Sequence, residues 1–281
     1  MKIEIKEATT LTDHPASFGA SIRASLTFPN PKWIENDRLG YWNGNTPHEL
    51  SCFQYANNGL SIPRGFTGQL IRMAQKAGVS YQLDDQRRTL PEVDFTFAGQ
   101  LKPFQQHAVT AMTTKDFGVL SAPTGSGKTV IACYLIAQRQ QPALIIVHSK
   151  ELLEQWRDRI GQFLNEPREA IGIIGDGKKT IGEKITVALV QSLYKIAPEV
   201  RDRIGHLVID ECHKTPSRTF TEAVTAFDCK YMLGLSATPC RRDGLSRLIF
   251  WYIGDVQHEV DKNTLVDSGD ILRADVITRE T

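Results

Sequence analysis

Residues 118–137 read Gly-Val-Leu-Ser-Ala-Pro-Thr-Gly-Ser-Gly-Lys-Thr-Val-Ile-Ala-Cys-Tyr-Leu-Ile-Ala. An apolar strand runs into a glycine-rich turn and an apolar helix runs out of it, the setting in which a phosphate-binding P-loop forms. Gly125 and Gly127 let the backbone curl so that several N–H groups converge on a phosphate at a helix N-terminus. Lys128 adds a point charge for the β- and γ-phosphates, and the Thr129 hydroxyl is placed to bind Mg²⁺. Thr124, Gly125, Ser126, Gly127, Lys128 and Thr129 are therefore the expected nucleotide-binding residues, with ATP and Mg²⁺ as the implied cofactors. Ala122 stands where the commoner pattern has its first glycine.

Working outward, the chain repeats one rhythm from about Gly118 onward: a β-branched run, a polar or glycine turn, then a longer amphipathic stretch. That rhythm predicts an α/β fold with a mainly parallel sheet flanked by helices. Strands are expected at Gly118–Ala122, Ala143–Val147, Ile185–Leu189, His206–Ile209 and Tyr231–Ser236, several of them apolar on both faces as central parallel strands are. The clearest helix is Lys150–Phe163, where Leu152, Leu153, Trp156, Ile160 and Phe163 recur at three-to-four-residue spacing. Leu-Val-Ile-Asp210-Glu211-Cys-His213 places two carboxylates at the C-terminal end of an apolar strand, where ligands of open α/β sheets bind. Asp210 is the expected Mg²⁺ carboxylate. Glu211 is the expected base that orients and deprotonates an attacking water.

Residues 1–95 differ. Turn-rich segments separate short strand candidates and one helix, Thr67–Ala77, ending near Gly78, which predicts a small separate α+β domain. The polar stretch Asp84–Asp94, with Pro91, is the expected linker. The predicted organisation is thus 1–95, 96–265 and a final segment 266–281.

Bulk composition excludes more than it assigns. Lys plus Arg total 33 against 32 Asp plus Glu, so any nucleic-acid surface must be a local patch. Five cysteines without a CxxC pair argue against a disulfide framework or a zinc ribbon and for a reducing, cytoplasmic home. No apolar run approaches the length of a membrane span.

Ala-Pro-Thr-Gly-Ser-Gly-Lys-Thr, Asp-Glu-Cys-His and Ser236-Ala-Thr238-Pro together resemble the first RecA-like domain of superfamily 2 helicases and translocases, over about residues 98–260. The resemblance implies that Gln105, in Leu-Lys-Pro-Phe-Gln-Gln, reaches the adenine edge; the residue pattern alone would leave it facing solvent on the first turn of a helix. It further implies that the segment at His148, Ser149 and Lys150, and the segment at Gln191 and Ser192, grip phosphates of one tracking strand. Phosphate contacts position without reading sequence. By the same resemblance His213, Ser236 and Thr238 couple the γ-phosphate to the nucleic-acid grip.

Gly-Leu-Ser-Ala-Thr-Pro-Cys-Arg-Arg-Asp-Gly at 234–244 looks most like the branch of xeroderma pigmentosum group B translocases and phage recombination helicases, with restriction-enzyme motors as close cousins. Asn30-Pro-Lys-Trp33, Arg38-Leu-Gly-Tyr-Trp42-Asn-Gly44 and Pro63-Arg-Gly-Phe66 resemble the N-terminal DNA-binding domain of the phage-type members. Lys32, Arg38 and Arg64 would then meet phosphates. Trp33 and Trp42 fit two roles, base stacking or domain core. The implied partners are duplex or branched DNA, in repair or recombination, and a second RecA-like domain with an arginine finger that these residues do not supply. Competing readings are a restriction motor, a nucleotide-gated DNA-binding module, and a P-loop kinase, which would leave Ser236-Ala-Thr-Pro and the paired carboxylates without a role.

Overall fold

The computed structural model describes residues 1–56, 59–214, 218–238 and 245–267. Its larger sheet has eight strands in the order Lys178–Thr180, Gly172–Gly175, Ile185–Leu189, Ala143–Val147, His206–Ile209, Tyr231–Ser236, Phe117–Ser121 and Val256–Glu259. The Lys178–Thr180 edge pairs antiparallel, and every other neighbouring pair is parallel. Four expected strands have the expected bounds, and the P-loop strand begins one residue earlier, at Phe117. Gly172–Gly175 and Val256–Glu259 escaped the sequence reading, as did the short edge strand Lys178–Thr180. The first is two isoleucines between glycines, and the second carries Gln257 and His258 near the open edge.

Helices cover both faces of the sheet, because strands such as Ala143–Val147 are buried along their whole length and need cover on each side. One core gathers Val109, Ile131, Leu135, Leu153, Trp156 and Ile160 against the sheet. The other gathers Leu193, Val200, Val224, Phe227, Ile249 and Ile253 on the opposite face. The helix Lys150–Leu164 starts at Ser149, whose hydroxyl accepts from Leu152 N–H at 3.3 Å. It ends at Asn165, which takes the left-handed conformation at φ 54°.

The first unit is a five-stranded sheet in the order Gln54–Ala56, Gly59–Pro63, Ala8–Thr12, Lys2–Ile5 and Gln82–Asp85, with only the last pair parallel. Ala16–Ser25 and Thr67–Lys76 pack on it through Phe18, Ile22, Leu70 and Ala74. The chain is therefore an α/β sheet flanked by helices, preceded by a smaller α+β unit.

The two units share a seam with a buried centre. Trp251, from the larger unit's helix Ser246–Ile253, belongs to the first unit's core and meets Phe28 and Phe66 edge-on. A Cβ on Gly65 would lie 2.4 Å from Gly254 N and 2.5 Å from Phe250 O, so only glycine permits this approach. Arg64 is 2% exposed. Its Nη1 donates to the carbonyls of Lys6 and Phe227, each at 3.3 Å, and of Cys229 at 2.9 Å. Its expected phosphate contact is thereby corrected: burial and three carbonyls commit it to the seam. The expected linker is likewise tied down. Asp84 and Asp85 are strand residues, Arg87 pairs with Asp85 and Asp116 at 2.7 Å each, and Arg88 pairs with Asp228 at 3.0 Å. Phe95 is buried in the larger unit's core.

Among the described residues, no helix is long and apolar enough to cross a membrane. Val266 and Asp267 end the short helix Lys262–Asp267. The remainder of the expected 266–281 segment, and Pro239 to Gly244 of the helicase-like motif, lie outside the described residues.

Candidate functional site

Four adjacent parallel strands deliver the site. Ala143–Val147, His206–Ile209, Tyr231–Ser236 and Phe117–Ser121 are neighbours in that order, so His148, Asp210, Ser236 and Ala122 emerge side by side at their C-terminal ends. Ala122 N–H donates to Ser236 O at 2.9 Å, which joins the P-loop to the helicase-like motif through backbone. The Ala122 methyl is fully buried, and the carbonyl accepts from Lys128 Nζ at 3.0 Å. What the loop takes from this position is a carbonyl, which explains why alanine serves where glycine is commoner.

Gly125 and Gly127 have φ of 85° and 80°, and Gly127 caps the helix Lys128–Arg139. Thr124 and Gly125 are exposed, while Ser126 is buried with an Oγ that has no hydrogen-bond partner. Thr129 follows Lys128 in the first turn of the helix. Gln105 is 5% exposed: its Oε1 accepts from Lys102 N–H and its Nε2 donates to Ser126 O, both at 3.0 Å. It faces the P-loop and not solvent. A Cβ on Gly127 would fall 2.5 Å from that Nε2, so the amide and the bare glycine fit each other.

Asp210 is 8% exposed; its Oδ2 accepts from Trp156 Nε1 at 2.8 Å and its Oδ1 from Glu211 N–H at 3.0 Å. Burial pushes its pKa up, the indole hydrogen bond pulls it down, and the Glu211 charge pushes it up again. Glu211 itself sits at φ 48°, an uncommon conformation for a residue with a Cβ. Its carbonyl faces His148 Nε2 at 3.2 Å, and its Oε2 lies 3.3 Å from His213 Nδ1. His213 Nδ1 also lies 2.9 Å from Ser236 Oγ, which accepts from Thr238 N–H at 3.2 Å. Burial lowers the pKa of His213, and the Glu211 carboxylate opposes that shift. Lys128 is lowered by burial and raised by Glu211 and Asp210, so the P-loop cation and both carboxylates act on one another. An open cleft of about 1080 Å³ lies over this edge, lined by Pro123, Thr124, Gly125, Thr238, Glu259 and Lys262 among others.

These features suit a magnesium nucleotide. Curled glycines and an unpartnered buried hydroxyl offer donors for phosphate, Lys128 offers charge, and the carboxylates with Thr129 offer hard oxygen ligands.

The expected strand-contacting residues lie along the same edge. Ser149 and Lys150 open a helix, and Gln191 Nε2 reaches His148 O at 3.5 Å. Gln191 and Ser192 belong to the short helix Val190–Leu193, which leaves the strand next to Ala143–Val147. Lys150 pairs with Asp176, so an acidic side chain already engages the expected phosphate ligand. Arg38 and Trp42 lie apart from this edge, in the first unit. The helix Pro31–Arg38 buries none of its residues, Arg38 is exposed, and Trp42 is 91% exposed with its ring over Gly44. Trp42 is therefore not core. Trp33 is half-buried, edge-on to His48 at 4.5 Å.

Sequence reading missed the part played by Trp156, which periodicity gives to the core, and the contact between the His148 ring and the Glu211 turn. Nothing local to either residue announces it.

Residues 98–241, about half of the chain, match the family described as "Type III restriction enzyme, res subunit". The chain belongs to that family. A candidate ATP-dependent RNA helicase, L396, of Acanthamoeba polyphaga mimivirus is 35% identical over 174 residues, 60% of this chain and 33% of that protein. The DNA 3'-5' translocase XPB2 of Sulfurisphaera tokodaii is 34% identical over 158 residues, 56% of this chain and 35% of that protein. The chain thus spans about a third of the length of these curated relatives. The crystal structure of the UvsW helicase from bacteriophage T4 superposes with a TM-score of 0.68 at 20% identity, covering 91% of this chain and 99% of that one. That likeness is one of fold, and its coverage extends into the first unit. By these sequence matches the chain groups with the superfamily 2 helicases, on the branch of the xeroderma pigmentosum group B and phage helicases.

Proposed function

We propose that this chain binds ATP and Mg²⁺ and forms the nucleotide-handling front of an ATP-dependent DNA helicase or translocase acting on duplex or branched DNA. The observation that carries it is the placement of the P-loop, with Lys128 opening its helix, and of Asp210 and Glu211 at the C-terminal ends of two parallel strands separated only by Tyr231–Ser236, with both carboxylate charges reaching the lysine. In this reading the P-loop amides, Ser126 and Lys128 hold the phosphates, while Asp210 and Thr129 hold the metal. Bound magnesium would neutralise charge developing on the transferred phosphoryl group. Glu211 orients a water and takes its proton. His213 and Ser236 link Glu211 to Thr238 and to the strand carrying the P-loop, a path by which hydrolysis can reach Ser149, Lys150, Gln191 and Ser192. Residues 1–95 act as the recognition domain, with Arg38 on phosphate and Trp42 on unpaired bases.

Family membership also favours a restriction motor, which would need a nuclease partner. The decisive measurement is ATP turnover with and without duplex DNA, branched DNA and RNA. Stimulation by DNA, abolished by Glu211→Gln with Mg-ATP binding retained, is the expected result. Stimulation by RNA alone would overturn the DNA assignment, and DNA binding without any turnover would favour a nucleotide-gated clamp.

A further inference from the structure

Trp156 lies on the helix Lys150–Leu164 in register with Leu153, Ile160 and Leu164, and is 1% exposed. Its size and register mark it as a core residue. An indole N–H can only donate, and in a dry setting it needs an acceptor. The acceptor here is Oδ2 of Asp210, at 2.8 Å. Among the described residues Trp156 is the only side chain that hydrogen-bonds Asp210; the other carboxylate oxygen is held by the Glu211 backbone. The two donors fix the plane of the carboxylate from two directions. One donor is local, and the other arrives from a different element 54 residues away in sequence.

We propose that Trp156 is a positioning residue for Asp210, holding that carboxylate in the one orientation from which it can take a divalent cation beside the P-loop. The proposal rests on the reading of Asp210 as the metal carboxylate. Hydrogen-bond partners that hold a metal's ligands set its affinity, and their loss typically costs about 10- to 100-fold in metal binding. A ring of ordinary core packing would have no such effect, because phenylalanine fills most of the same space.

The test uses the 281-residue chain and a fluorescent ATP analogue, titrated with Mg²⁺ and, separately, in EDTA. Trp156→Phe is expected to leave affinity in EDTA unchanged and to raise the Mg²⁺ concentration for half-maximal enhancement about tenfold. An unchanged Mg²⁺ midpoint in a folded Trp156→Phe protein overturns the proposal. Asp210→Asn separates the two levels. If it leaves the Mg²⁺ response intact, the metal reading of Asp210 fails; if it abolishes the response while Trp156→Phe does not, only the role of Trp156 fails. Should Trp156→Phe not fold, ¹⁵N spectra of the parent carry the test. The Trp156 indole N–H resonance, identified by its displacement in Asp210→Asn, must move when Mg²⁺ is added to the ATP complex. A resonance that stays in place overturns the proposal.

Discussion

At the strand ends, Trp156 is 1% exposed and its ring nitrogen grips a carboxylate; on the projection after Pro31, Trp42 is 91% exposed and lies over Gly44. Two arginines divide in the same way. Arg64 is 2% exposed and spends its guanidinium on three carbonyls, whereas Arg38 ends a helix that buries nothing. Identical residue types thus do opposite jobs in the two regions, and the environment chooses the job. In the buried region Arg64 and Trp156 find their acceptors in the protein, so their geometry is fixed before any ligand arrives. On the projection water satisfies the same groups, and they remain available to a partner.

The contrast breaks most sharply at Arg64. Arg64→Met keeps the length of the side chain but leaves the buried carbonyls of Phe227 and Cys229 without their donor, and it should lower unfolding free energy by roughly 3–5 kcal/mol in denaturant titration. A loss below about 1 kcal/mol would mean the seam is wet. Lys128→Ala comes next. It should weaken ATP binding about 100-fold, the scale of a charge-assisted contact, while thermal unfolding moves little. Comparable affinity in mutant and parent would remove the lysine from the phosphate site.

A third expectation concerns pH. His206 is fully buried beside Arg139, whose Nη1 lies 2.8 Å from its Nε2, and burial followed by that positive charge holds its pKa well below the usual 6.5. The native state keeps this ring neutral where the unfolded chain protonates. Its contribution to stability is therefore complete above pH 6.5 and falls away as pH drops below that value, by up to about 1.4 kcal/mol per pH unit. His206→Gln should flatten that slope in denaturant titrations at pH 7 and pH 5.5; an unchanged slope assigns the acid sensitivity elsewhere. The smallest effects belong to the projection. Trp42→Ala should leave stability within about 0.5 kcal/mol yet weaken binding to single-stranded or junction DNA. Arg38→Ala should weaken all duplex sequences alike and reduce the slope of log affinity against log salt by about one. If neither variant changes DNA binding, the projection serves a protein partner.

Much of the P-loop edge was legible in the sequence because strand and loop signals are local. Val119 and Leu120, the two loop glycines and the Lys-Thr pair lie within a dozen residues of one another, and each constrains the backbone by its own sterics. Asp210 and Glu211 were legible for the same reason, at the end of an apolar run. The seam was not. Arg64 sits in a glycine- and proline-rich segment that reads as an exposed turn, and only the carbonyls of Phe227 and Cys229, more than 160 residues later, make it a buried staple. The pairing of the expected linker was not legible either, since Arg87 and Arg88 look like solvated charge until Asp116 and Asp228 fold against them.

The sequence by itself determined the parallel α/β sheet, the P-loop and the paired carboxylates, because apolar periodicity, glycine freedom and strand-end position act over a few residues. Tertiary structure alone decided which aromatics and cations are ligands of the protein and which face outward. Trp156 and Trp42, like Arg64 and Arg38, differ in desolvation, and desolvation is a property of what the rest of the chain places around a residue.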